Sequence, residues 1–356
     1  MRDIPLPHGP AKEPVRPAHA RTLRLNRDRK GAAPCAACSR ARFSIPMSRA
    51  AAGIVATLLA CTVLHAQSLS LEQLIENAQW REAAAVIEKQ PKPADAKWLG
   101  QAARVRIAYH DLDKAAEFAE KAASLEPKNA DHHFLLYEIY GTQAAEASIF
   151  RQPGLARKCK KAVDTAVELD PKHVEAQVGL MLYLYQAPGF FGGDKKRALA
   201  IPGLIGAFNP ARGHLAQAKL ELLDKSPAKA QECYRKAVAA DPNLHEARVL
   251  LARSLGDQAQ AREAIRINPK RIDGWDALAY ALGRQGKVAE LDALIAKREE
   301  PTGLYHGALG LLDGGKDSAK AVELLTRYSK RPADGPERPT AADAEKRVKE
   351  IKKSRS

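Results

Sequence analysis

Cys35 and Cys38 form the one Cys-x-x-Cys pair in the chain, and His132 and His133 its one adjacent histidine pair. Thiols and imidazoles are the groups that hold metals or exchange electrons, so these residues come first. A zinc site needs a second pair at ligand spacing, and a thioredoxin-like redox site needs a surrounding strand-helix-strand pattern. Neither accompanies Cys35 and Cys38. Adjacent histidines on a helix point in different directions, and no His-Glu-x-x-His spacing or facial carboxylate joins His132 and His133. A Gly-rich phosphate loop, a Ser-His-Asp context and paired catalytic carboxylates are likewise missing from the sequence. The expectation is a protein without catalysis, cofactor or metal. Cys159 and Cys233 fall where a small apolar side chain is wanted and read as buried thiols, too far apart in a stacked array to bridge.

The 356 residues carry a formal charge of +15, with 28% charged and only 5% aromatic. Abundant alanine and scarce β-branched runs favour helix over sheet. So little aromatic mass argues against one large core and suits helices that approach closely through alanines. The charge is uneven, since residues 1–46 hold ten Lys/Arg against three Asp/Glu. The rest is mildly basic over a large surface, with no interleaved aromatics to stack bases. It reads as a solvated surface, and no nucleic-acid partner is expected.

What orders the chain is a recurring frame, small-x3-apolar-x2-Ala-x4-Pro. It occurs at Ala115, Ala119, Ala122, Pro127; at Cys159, Val163, Ala166, Pro171; and at Ala230, Tyr234, Ala237, Pro242. Ala198, Pro202, Ile205, Pro210 keep it with substitutions, and Ala261, Ala264, Pro269 keep only its end. Offsets of four and three put these residues on one helical stripe, and the proline stops the helix. The spacing predicts hairpins at about 95–109 with 112–125, 130–147 with 154–169, 174–187 with 194–208, and 212–223 with 227–240. It continues at 244–256 with 259–267, 272–284 with 287–298, and 302–312 with 317–329, behind a shortened capping pair at 71–91. Thr340 and Asp343 supply a capping box for a last helix, whose few apolar residues predict a solvated capping or frayed helix, the other reading being a basic tail that docks on acidic surface.

On these residues the chain resembles a tetratricopeptide repeat (TPR) protein over roughly 70–330. The strongest matches are DLDKAAEFAEKAASLEPKNA (111–130) and SPAKAQECYRKAVAADPNLHEA (226–247). The proline spacings of 44, 39, 32 and 27 bracket the family's period and imply an irregular superhelix. The resemblance implies an all-α fold, an α-solenoid of about seven stacked antiparallel hairpins, packed through Ala115, Ala122, Pro127, Ala166, Pro171, Ala230, Ala237 and Pro242. It also implies a concave groove lined by first helices, which binds a protein or peptide. Members that clamp a C-terminal carboxylate place Lys and Asn where this chain has Gly100, Arg104, Phe134 and Glu138, so that specificity is not implied.

Met47 opens a segment laid out as a secretory signal peptide: Arg49, then an apolar run to Leu64, then Ala66. The run is too short for an ordinary membrane span. The domain reading is therefore 1–46 as a basic extension or mis-assigned start, 47–66 as signal, 67–330 as repeats and 331–356 as a basic tail. It places a bacterial protein in the periplasm, with no membrane span in its mature form. The minor alternative is an envelope lipoprotein, because Leu58-Leu59-Ala60-Cys61 resembles a lipobox that would anchor lipid on Cys61.

By frame, Arg104, Glu138, Lys219, Arg253 and Tyr280 face the groove and are the candidate partner-binding residues. Phe190 and Phe191, in the loop APGFFGGD (187–194), are a further candidate as a binding lip, the alternative being that they fold back to plug the groove. That loop resembles a mark of some envelope TPR proteins. The functional expectation is a periplasmic scaffold that grips a protein or peptide partner. The alternative is an accessory TPR subunit of a solute transporter, with an enclosed small-molecule pocket beside Phe190–Gly193.

Overall fold

The computed structural model describes residues 69–89, 95–298, 302–330 and 339–353, all within a compact unit from Gln67 to Ser356. The segments 1–46 and 47–66, with Cys35, Cys38 and Cys61, lie outside the described residues. Among the described residues there are seventeen α-helices and no strand. Sixteen of them pair into eight antiparallel hairpins: α1 (Leu71–Glu76) with α2 (Trp80–Lys89), α3 (Ala96–Ala108) with α4 (Leu112–Leu125), α5 (Ala130–Glu146) with α6 (Gln152–Leu169), and α7 (Val174–Gln186) with α8 (Lys195–Phe208). Then come α9 (Pro210–Leu223) with α10 (Pro227–Ala240), α11 (His245–Leu255) with α12 (Gln258–Ile267), α13 (Ile272–Arg284) with α14 (Val288–Lys297), and α15 (Thr302–Asp313) with α16 (Ser318–Ser329). The hairpins pile up in sequence order, and the molecule is a TPR-like α-solenoid.

Many of the helices begin where the chain offers a side-chain oxygen to the first unpaired amides. Ser70 and Gln73 form a capping box, and Asp95, Asp111, Asn129, Asp194, Asn209 and Asp257 each accept from an amide of the turn that follows. The expected stripe is the buried one. Ala115, Ala119, Ala122, Val163, Ala166, Ala230 and Ala237 are all fully buried. Without a side chain beyond Cβ, helices of a hairpin and its neighbour approach to about 8–10 Å. Ala237→Leu should therefore overpack this seam and lower stability by about 1–3 kcal/mol, read from denaturant unfolding of the Gln67–Ser356 unit. A loss under half a kilocalorie would remove the seam from the fold's essentials.

The anchor prolines act differently from the packing role assigned to them. Pro127, Pro171 and Pro242 are exposed in the turns between hairpins. They stop the helix, and their carbonyls are then used. Pro127 O accepts from His133 Nε2 at 2.8 Å, Pro171 O from Gln177 Nε2 at 2.9 Å, Pro242 O from Arg248 Nε at 3.0 Å, and Pro269 O from Trp275 Nε1 at 2.9 Å. In every case the donor stands six residues on, in the first helix of the next hairpin. Each turn thus fixes the entry angle of the helix it leads into.

The frame breaks at the fourth hairpin. Pro202 is buried inside α8, and Asn209 both ends α8 and caps α9, so Pro210 is the first residue of a helix. With a single residue between the helices, Gly206 and Gly213 bring the two backbones together. Gln152 and Pro153 open α6, two residues ahead of the start near 154 that the spacing predicts.

Toward the C-terminus the first helices α13 and α15 pack directly on each other. A methyl group on Gly310 would overlap the carbonyl oxygen of Tyr280 and lie 2.8 Å from the amide nitrogen of Arg284. One on Gly283 would overlap the carbonyl oxygen of Gly307. The last helix, α17 (Ala341–Lys353), carries the expected capping box, with Thr340 N donating to Asp343 Oδ2 at 2.7 Å and Asp343 N to Thr340 Oγ1 at 3.2 Å. It is docked rather than frayed: Ala344 is fully buried, and Val348 and Ile351 pack on the core of the last hairpins. At the other end, Asn268 Nδ2 at the close of α12 donates to Asn77 Oδ1 in the α1–α2 turn at 3.1 Å. The first hairpin therefore touches the sixth.

Candidate groove across the first helices

The first helices are stapled to one another near their N-termini. Lys97 of α3 pairs with Glu72 of α1 at 2.8 Å, and His173 before α7 with Asp131 of α5 at 3.2 Å. Arg212 of α9 pairs with Glu246 of α11, and His245 of α11 with Asp273 of α13 at 2.7 Å. These pairs bridge neighbouring first helices, whose inner faces form the groove.

Two cavities lie on those faces. The first, of about 780 Å³, lies over α1, α3 and α5. Its walls offer Trp80, Ile75, Ile107 and Leu135 as apolar surface. Five carboxylates (Glu72, Glu76, Glu126, Asp131 and Glu138) face two cations, Lys97 and Arg104, so this stretch is acidic although the chain is strongly basic. The second, of about 300 Å³, runs over α5, α7 and α9, with Val178, Leu182 and Leu215 as apolar floor and Glu175, Lys219 and Glu246 at the sides. Arg104 and Glu138 line both cavities. Two glycines make room: Gly100 lies under the His132 ring, and Gly179 under the ring of Tyr137.

The carboxylates are not equivalent. Glu126 is held below its ordinary range by hydrogen bonds from Asn129 and His132, and Asp131 by the bond from His173. Glu138 makes no side-chain hydrogen bond or ion pair with any described residue. Burial pushes its carboxyl above the usual range, with Arg104 acting in the opposite sense. A desolvated carboxylate without a partner is a group that gains from a bound donor or cation.

Of the residues singled out in the sequence, Arg104, Glu138 and Lys219 are brought together here, at the second cavity. Arg253 and Tyr280 line neither cavity. The guanidinium of Arg253 lies 3.3 Å from His306 Nε2, with its Nε buried and without a hydrogen-bond partner among the described residues. The close approach of α13 and α15 brings His306 to it. Burial and the Arg253 charge hold His306 down at about 3, hence neutral. Tyr280 donates to Asp313 Oδ2 at 2.8 Å. Phe190 and Phe191 neither plug nor rim the groove. Their rings pack on each other, 4.6 Å between centroids, in the loop joining α7 to α8, and Phe190 is 82% exposed. Gly192 there takes the left-handed φ of 85° that its turn requires.

His132, which the sequence raises only as a metal ligand, is a buried wall residue bonded to Glu126 at 3.1 Å. Sequence reasoning also misses Trp80 and Leu135 as groove residues. A signal for them exists: they stand on the first hairpins, and Leu135 is three residues from Glu138. Cys159 and Cys233 are free and buried, and burial pushes the Cys159 thiol up to about 12.

No family model matches this chain, and no curated protein matches it. Among solved structures it is similar to a thermophilic TPR protein of Thermus thermophilus, at 21% identity over 52% of this chain and 95% of that one, with a TM-score of 0.44. It is also similar to pilF of Pseudomonas aeruginosa, at 16% identity over 65% and 90%, TM-score 0.34. A third is the Cut9–Hcn1 hetero-tetramer of the APC/C, at 12% identity over 72% and 64%, TM-score 0.30. At such scores the TPR-like description rests on this chain's own hairpins, its alanine seams and its proline-anchored turns.

Proposed function

We propose that the molecule is a non-catalytic scaffold of the bacterial envelope that holds an extended segment of a partner protein along the groove over α1 to α9. The observation that carries this reading is the run of two cavities joined at Arg104 and Glu138, with Glu138 desolvated and unpaired. A peptide offers backbone donors and acceptors at regular intervals, which suits a long trough of alternating charges and apolar floor. A groove already shaped by the packed cores of its hairpins loses little conformational freedom on binding. The acidic stretch over α1 to α5 favours a segment with lysine or arginine. The transporter-accessory alternative asked for a pocket beside Phe190–Gly193, and no residue of that loop lines either cavity, so the protein-segment reading is the better supported.

Envelope extract passed over immobilised Gln67–Ser356 tests it. The captured partner should bind Glu138→Lys at least about tenfold more weakly, a loss of about 1.4 kcal/mol or more, while the circular dichroism of the variant stays that of the parent. Equal capture by Glu138→Lys would end the groove reading. Location is read separately: the native protein should begin at Gln67 by N-terminal sequencing and intact mass, and recovery from the cytosol with residues 1–66 intact would overturn export.

A further inference from the structure

We propose that the opposite side of the solenoid, the edge and outer faces of α6 and α8, docks on an anionic lipid surface. The first observation is where apolar side chains escape burial. Ile149 is 75% exposed and Phe150 91%, in the turn that opens α6; Phe190, in the loop that opens α8, is joined by Leu199 and Leu204 on the outer face of α8, 54% and 60% exposed. These five fall within two consecutive hairpins. The two aromatic tips share one edge, because the Tyr183 hydroxyl lies 2.9 Å from the carbonyl oxygen of Phe191 and 3.3 Å from that of Ala156 in α6.

The second observation is the charge around them. Arg151, Arg157, Lys161, Lys195, Lys196 and Arg197 are all exposed, and none forms an ion pair among the described residues. Lys195 rests over the Tyr185 ring at 5.2 Å. Three nearby carboxylates are occupied: Asp194 caps α8 by accepting from the Arg197 amide at 2.9 Å, Asp164 pairs with Lys160, and Glu120 lies 3.8 Å from Lys158; Glu168, exposed at the far end of α6, stands away from the helix starts. Neither α6 nor α8 has an acidic residue in its first turn. Arg151 at the cap of α6 and Lys195, Lys196 and Arg197 in the first turn of α8 run against the helix dipole, a cost that an anionic surface would offset.

The combination selects the partner. Aromatic tips and leucines reach the boundary of the acyl layer while lysines and arginines meet the headgroups. A single-stranded nucleic acid would want aromatics along a basic groove; here they stand on protruding turns, and the outer face of α8 offers leucines that no base stacks on. The acidic groove lies on the first helices and stays free for its own ligand.

Co-sedimentation tests this, with vesicles of phosphatidylcholine alone or mixed with phosphatidylglycerol, at low and high salt. The full chain and the compact unit Gln67–Ser356 are run side by side, which removes the contribution of the apolar run at 50–64. Both should sediment with the mixed vesicles, and more so at low salt. The triple change Lys195→Glu, Lys196→Glu, Arg197→Glu should weaken this at least about tenfold. Phe150→Ser with Phe190→Ser should abolish the part that survives high salt. All five are exposed side chains, so the fold is kept. No binding to mixed vesicles, equal binding to phosphatidylcholine alone, unchanged binding by both variants, or tighter binding of a single-stranded oligonucleotide through the same residues would each overturn the proposal.

Discussion

Gly310→Leu is expected to cost the C-terminal hairpins about 3 kcal/mol or more, the largest effect of any single substitution considered. The reason lies in what the new Cβ meets. Its neighbours are the Tyr280 carbonyl oxygen and the Arg284 amide, backbone atoms that cannot rotate aside as a side chain can. The axes of α13 and α15 must separate, and Ala277, Leu278, Leu282 and Leu311, all nearly fully buried there, lose contacts together. Gly203 supplies the control. It lies inside α8 with nothing within 4 Å of a would-be Cβ, so Gly203→Ala should gain about 0.5–1 kcal/mol from the reduced freedom of the unfolded chain. Denaturant unfolding of Gln67–Ser356 reads both. Hydrogen exchange should place the Gly310→Leu loss in α13 to α17 and leave α3 to α7 protected, since each hairpin leans on its neighbours. A Gly310→Leu protein within about 1 kcal/mol of the parent would mean that α13 and α15 do not touch.

The same glycines explain where the sequence can and cannot be read. Ala115, Ala119 and Ala122 announce their seam because the period of one helix is a local property. Pro127 and Pro171 announce their turns, yet not the bonds from His133 and Gln177 to their carbonyls, although the donor six residues on is there to be seen. Counting along a regular superhelix assigns Arg253 and Tyr280 to the groove. Gly283 and Gly310 break that regularity by drawing α15 onto α13, and a frame read from single hairpins carries no information on how tightly the next one is wound. Arg104, Glu138 and Lys219 sit on the earlier hairpins, where α5, α7 and α9 keep more ordinary spacing, and there the counting brings the right residues together. The isolation of Glu138 is not legible at all. It depends on what Arg104, Glu175 and Lys219 do across three helices, as the meeting of Asn77 with Asn268 depends on the whole intervening curve.

Asp273→Asn should cost about 2 kcal/mol near neutrality and progressively less in acid. Asp273 begins α13 and receives His245 Nε2 at 2.7 Å and Arg271 Nη2 at 2.6 Å, while His245 Nδ1 faces the Ala264 carbonyl oxygen at 2.9 Å. Both ring nitrogens of a buried histidine thus face oxygen atoms of neighbouring elements. Burial alone would raise the Asp273 carboxyl; the bonds from His245 and Arg271 outweigh it and hold the group well below the ordinary carboxylate range. The sign follows. A depressed carboxyl stabilises the fold at any pH above its unfolded value, about 3.9, and the contribution fades as pH falls below that toward the folded value. The gap in unfolding free energy between parent and Asp273→Asn should therefore be constant from neutrality down to about pH 5 and then close. A double-mutant cycle with His245→Ala should return a coupling of about 1–3 kcal/mol. The exposed pair Lys121–Glu117, 2.7 Å apart on one face of α4, should show no such coupling, because solvent screens it. A gap that does not change with pH would mean that Asp273 is held by packing rather than by its charge, and the staple between the sixth and seventh hairpins would have to be sought elsewhere.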